Sequence, residues 1–176
     1  GTDNTINNSV FYKNSSATGA GAICLANGST TINSSVFSEN AAATDGGALY
    51  VGSATGIVNT SVFNRNTDGG AILNHGTTYI NNSIFSGNNM TTGTGDGGAI
   101  KNTSGTLSLT NVFVKNNTST DDGGAIDNRA TLNIIADKGS VYFYGNQRGP
   151  TVESLALGNY GSGTVNINAG NGGIVR

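Results

Sequence analysis

The chain has 176 residues, a net charge of −2 and only 10% charged residues, while Gly, Asn, Ser and Thr together make up more than half of it. Lys and Arg are scattered singly, which argues against a nucleic-acid or anionic-membrane surface, and no apolar run approaches the roughly 20 residues of a membrane span. The single Cys24 can form neither an internal disulfide nor a zinc site. With one Pro and many β-branched residues the composition is not that of a disordered chain, yet six Phe, six Tyr and no Trp leave little for a globular core.

Along the chain, the opening "GTDNT" has no charged or apolar signal region, so any export signal is expected to lie outside these residues. The segments "TTINSSVF" at 30–37, "GIVNTSVF" at 56–63 and "TTYINNSIF" at 77–85 alternate apolar and polar positions and predict strands. No helical period occurs. All six Phe share one frame, FxxN: Phe11 with Asn14, Phe37 with Asn40, Phe63 with Asn66, Phe85 with Asn88, Phe113 with Asn116, and Phe143 with Asn146. Out of phase with it run "AGAI" at 20–23, "GGAL" at 46–49, and "GGAI" at 69–72, 97–100 and 123–126.

The Phe residues are spaced by 26, 26, 22, 28 and 30. Such a period means a solenoid, a propeller or an array, and these units are too short for a propeller blade and too poor in apolar residues for a helical repeat. The fold class predicted is all-β: a single right-handed parallel β-helix, or solenoid, of about 6–7 coils. One β-helical unit is expected over 1–176, with FxxN/GGA repeats at 6–146 and final coils of degenerate repeat at 147–176. Stacked coils would place the Phe residues in an interior column and the Asn residues in an amide ladder at a bend. The GGA glycines would allow unusual φ values and close packing.

Between each FxxN Asn and the next GGA-type motif lie 5, 5, 2, 8 and 6 residues of turn-forming character. Recurring insertions on one edge of a solenoid are often its binding face. The partner-binding candidates are therefore Asn89, Met90, Thr91, Thr92, Thr94 and Asp96 of the longest loop, and Asn117, Thr118, Ser119, Thr120 and Asp121 of the next, with Ala41 to Asp45 beside them.

FxxN paired with GGA[ILV] resembles the repeat signature of the chlamydial polymorphic outer membrane proteins and related autotransporter adhesins. Five complete pairs cover residues 11 to 126. The resemblance implies a passenger displayed at the outer membrane of the cell surface, which adheres to a host-cell protein or glycan or to neighbouring cells. Membrane association would come only through regions outside these residues, and end-to-end self-association is a further expectation. AGAI in place of GGAI in the first unit, and the lack of a GGA motif after Asn146, depart from the pattern.

Two other functions stand beside adhesion: a passive stalk, and a polysaccharide-active enzyme of the kind many β-helices are. Asp45, Asp68, Asp96 and Asp122 precede GGA in four of five units. A column of carboxylates about 5 Å apart could hold Ca²⁺, but each Asp bonding the backbone of its own turn is the favoured reading. Without cations gathered beside them they read as structural, so no catalytic residue, metal or cofactor is assigned and an enzyme is not expected. His75 reads as a lone exposed turn residue, Cys24 as a small interior side chain, and the NxS and NxT triplets as repeat grammar rather than glycan acceptors. Thr is not held at a fixed place on the strands, which argues against an ice-binding face.

Overall fold

The computed structural model describes residues 3–44, 46–91, 96–149 and 156–176. Among them the secondary structure is β throughout, and the strands pair in parallel. They stack as a β-solenoid with three long sheets, each strand pairing with its counterpart one coil away. The first sheet has seven strands: Asp3–Asn7, Ser29–Asn33, Thr55–Asn59, Thr77–Asn81, Thr106–Thr110, Thr131–Ile135 and Thr164–Asn168. The second also has seven: Val10–Tyr12, Val36–Ser38, Val62–Asn64, Ile84–Ser86, Phe113–Lys115, Ser140–Tyr144 and Ile174–Val175. The third has six, from Ile23–Leu25 through Leu49–Val51, Ile72–Asn74, Ile100–Asn102 and Ile126–Asn128 to Leu157–Asn159.

Five coils have a neighbour on both sides, and the first and last rungs, Asp3–Asn7 and Thr164–Asn168, are largely exposed ends. The stack thus amounts to about five enclosed turns, slightly fewer than the six or seven coils expected.

Period-2 alternation sets which side chains enter the core. On the first sheet Ile32, Val58, Ile80, Leu109 and Ile134 are buried, and on the third Leu49, Ile72, Ile100 and Ile126. On the second, Phe11, Phe37, Phe63 and Phe85 form the expected column, with ring centroids 4.7, 4.6 and 4.7 Å apart and planes within 8° of parallel. That spacing is set by the strand separation of the backbone.

The fifth unit departs from the frame. Val114, not Phe113, pairs in register with Phe85 and with Phe143 of the next coil, and Val114 is fully buried while Phe113 is 45% exposed. The ladder shifts with it. Asn14, Asn40, Asn66, Asn88, Asn117 and Asn146 form one chain in which each main-chain N–H and side-chain amide donates to Oδ1 of the next Asn. Asn116 instead occupies the bend before it, with Lys13, Glu39, Arg65, Gly87 and Gly145, all at φ between 51° and 64°. The left-handed region costs a residue with a Cβ about 1 kcal/mol or more. The neighbouring ladder Asn, bonded through main chain and side chain together, holds it there.

The second glycine of the GGA motif has a steric cause. A Cβ on Gly21, Gly47 or Gly98 would lie 2.1–2.3 Å from the carbonyl oxygen of Gly47, Gly70 or Gly124 in the next coil. The first position is as crowded where it is glycine, since a Cβ on Gly46, Gly97 or Gly123 would lie 2.1–2.3 Å from the carbonyl oxygen of Leu49, Ile100 or Ile126, while Ala20 takes that place in the first unit. A further buried ladder runs along the third sheet, where Asn74, Asn102 and Asn128 each donate to the next Asn at 2.7 Å, ending on Asn159. Cys24 is exposed rather than interior, because the middle residue of each third-sheet strand points outward. His75 lies exposed at a bend, with its ring 5.7 Å from that of Tyr50.

Candidate functional site

The linkers between the Asn ladder and the GGA motifs lie on one edge of the stack, beside the outer face of the third sheet. Residues 92–95, with Thr92 and Thr94, and Asp45 lie outside the described residues. Of the remaining candidates, Ala43, Thr44, Thr91, Thr120 and Asp121 are exposed, Ala41, Asn89 and Thr118 half-buried, and Ala42 buried. Met90, Asp96, Asn117 and Ser119 are buried and cannot meet a partner from this conformation. Each has a structural task instead. Asn117 carries the ladder, Met90 and Ser119 pair in register as a short rung, and the Ser119 hydroxyl donates to the Asp122 carbonyl at 2.6 Å.

Asp96 anchors a charge cluster. Its Oδ2 takes the Lys101 ammonium at 2.9 Å and Nη2 of Arg129 at 2.5 Å, and Nε of Arg129 donates to Oδ2 of Asp127, also at 2.9 Å. Asp96 is 1% exposed and Asp127 fully buried, so Arg129 bridges two carboxylates withdrawn from water. Oδ1 of Asp127 is buried with no hydrogen-bond partner among the described residues. Burial pushes the Asp127 carboxyl above the usual range, against the opposing charge of Arg129. For Arg129 burial acts to lower the pKa, but Asp127 and Asp96 outweigh it and the net shift is upward. The Tyr160 phenol is pushed up to about 12, chiefly by burial and next by its interaction with Asp122.

Cations therefore do gather at one of the pre-GGA aspartates, contrary to the expectation from sequence. Lys101 and Asp127 are register partners on adjacent rungs of the third sheet. Aligning the units on the GGA motif, and reading down that column, would have brought the opposite charges together. Nor do the aspartates act alike: Asp68 accepts from the Thr91 hydroxyl at 2.6 Å, whereas Asp96 sits in the ion-pair cluster.

Carboxylate oxygens of Asp96, Asp121 and Asp122 lie within 4.8 Å of one another. The positive charge such a group would seek in a metal is supplied to Asp96 by Lys101 and Arg129. The same burial bears on catalysis, because a glycan cannot reach Asp96 or Asp127, and a general acid or base must come within hydrogen-bond reach of its substrate.

No curated protein and no solved structure matches the chain. The family model for the Chlamydia polymorphic membrane protein repeat matches residues 34–52 and 111–129. Each match spans one passage from the second sheet, through the Asn ladder and the edge linker, to the third sheet. Two stretches of this parallel β-solenoid thus match the repeat of the Chlamydia polymorphic membrane proteins.

Proposed function

We propose that the chain is part of a surface-displayed adhesin passenger, a rigid rod that presents its linker edge to a host-cell or neighbouring-cell partner. What supports this is the joint occurrence of polymorphic membrane protein repeats and a β-solenoid whose variable linkers fall on one edge. A family described as membrane proteins fits attachment at the outer membrane through regions other than the solenoid. Within the two longer linkers of the edge, the exposed candidates Thr91, Thr120 and Asp121 are contacts available to a partner. The passenger is not an enzyme on this reading, since the carboxylates of Asp96 and Asp127 are shielded from a glycan.

Binding of the purified chain to epithelial cells tests the proposal. Thr91→Ala, Thr120→Ala and Asp121→Ala combined should reduce binding without changing the melting temperature. Undiminished binding by this variant would remove the edge from the reading. The burial of Met90, Asp96, Asn117 and Ser119 favours a second reading, a passive stalk, in which neither protein binds cells.

A further inference from the structure

The second sheet turns one column of side chains outward: Val10, Val36, Val62, Ile84, Phe113 and Tyr142, in register coil after coil. Small side chains give way to aromatic ones toward the later coils. The Phe113 and Tyr142 rings lie 6.2 Å apart and Tyr142 and Tyr144 6.3 Å apart, and Phe113 and Tyr144 are 45% and 61% exposed. Phe113 is outside because the fifth unit is shifted by one residue, which gives the core the smaller Val114. A large apolar side chain moved from core to surface, beside half-buried Tyr142 and exposed Tyr144, marks an interaction surface.

The polar groups around these rings narrow the partner. Ile84 and Phe113 floor an open groove walled by Asn82, Asn111, Lys138 and Ser140. Asn111 is committed to the Asp137 backbone, but no hydrogen bond engages the Asn82 amide or the Ser140 hydroxyl among the described residues. Amides and a hydroxyl beside aromatic faces suit a sugar, which offers C–H faces to the rings and hydroxyls to the polar wall. Lys138 stands at one margin and Lys115, in register with Tyr144, at the other. Neither is in an ion pair among the described residues, whereas Lys13 and Arg65 both engage Glu39. Four residues of strand, about 13 Å, separate the bend at Asn111, over which Lys138 sits, from Lys115. The nearest acid, exposed Asp137, accepts from Asn171.

We propose that this face binds an acidic glycan bearing spaced carboxylates, with Phe113, Tyr142 and Tyr144 as the stacking platform and Lys115 and Lys138 as the charge contacts. A densely sulfated chain fits less well, since among the described residues two lysines stand outside any ion pair, on a protein of net charge −2. The surface is distinct from the linker edge, so it stands or falls independently of adhesion there.

Calorimetric titration of the whole chain tests it with three probes: hyaluronan oligosaccharide, with carboxylates on alternate sugars; heparin, densely sulfated; and a neutral cello-oligosaccharide. Hyaluronan oligosaccharide should bind saturably and more tightly than either other probe. Phe113→Ala, and Lys115→Ala with Lys138→Ala, should each weaken it by about tenfold or more, with Lys→Arg at both sites retaining most of the affinity. The edge variant at Thr91, Thr120 and Asp121 should bind it unchanged. The proposal is overturned by no binding of hyaluronan, by equal or tighter binding of heparin or the neutral sugar, or by undiminished affinity in these variants while their melting temperatures match the parent.

Discussion

Asn66 donates both its main-chain N–H and its side-chain amide to Oδ1 of Asn88, each at 2.9 Å. Its amide donates again to the Phe37 carbonyl at 3.1 Å, so one side chain ties its coil to both neighbours. Asn88 repeats the arrangement with Asn117 and the Phe63 carbonyl. Replacing Asn88 by Ala leaves several buried groups unpaired, each costing about 1–3 kcal/mol. Asn88→Ala should lose about 2–4 kcal/mol in urea denaturation, and Asn88→Asp, which trades two donors for a buried charge, should lose more. A loss near zero would mean that water replaces the ladder.

Phe85 is fully buried between Phe63 and Val114. Phe85→Ala should cost about 3–5 kcal/mol, while Phe113→Ala should stay within about 0.5 kcal/mol of the parent, as surface changes usually do. The two phenylalanines share one sequence motif, so equal losses in denaturation would contradict the shift of frame.

Gly98 has an ordinary φ but no room, because its Cβ would sit 2.3 Å from the Gly124 carbonyl oxygen and 2.5 Å from that of Thr118. Backbone rather than a flexible side chain is the obstacle. Gly98→Ala should destabilise by about 1–3 kcal/mol or more. A neutral result by thermal melting would show that the coils separate easily there.

Asp127 and Asp96 should respond oppositely to loss of charge. Asp127 holds its proton more tightly in the folded chain, so its contribution is most favourable below the unfolded value of about 3.9 and is lost as pH rises through the raised folded value. Asp127→Asn should therefore match or exceed the parent in stability at pH 7 and lose that advantage toward pH 4. Asp96→Asn removes the acceptor shared by Lys101 and Arg129, and should cost about 1–3 kcal/mol, less than a fully buried pair because Arg129 is partly exposed. Urea denaturation from pH 4 to 7 checks both, and a destabilised Asp127→Asn at pH 7 would reverse the assignment.

Phe, Asn and GGA recur because a solenoid sets the same environment once per coil, which is why the fold was legible from spacing. The fifth unit was misread because "FVKNN" contains two overlapping frames and Phe is the more conspicuous residue. Counting offered a signal: the last three core positions are separated by 28 and 30 residues through Phe113, but by 29 and 29 through Val114. Loop length located the variable edge, yet it could not tell which residues turn inward, and Met90, Asp96, Asn117 and Ser119 do. The Asp96 cluster joins residues from two successive coils, 96–101 and 127–129, and only column alignment on the GGA motif brings Lys101 beside Asp127. The aromatic face followed from the shifted frame and was therefore missed with it.

Thiol labelling tests the register of the fifth unit most directly. With exposed Cys24 replaced by Ser, single cysteines at Phe113→Cys and Val114→Cys are reacted with a maleimide under native conditions. Rapid labelling is expected at 113, with protection at 114 until the protein is unfolded. Protection at 113 with rapid labelling at 114 would return Phe113 to the core and remove the aromatic face.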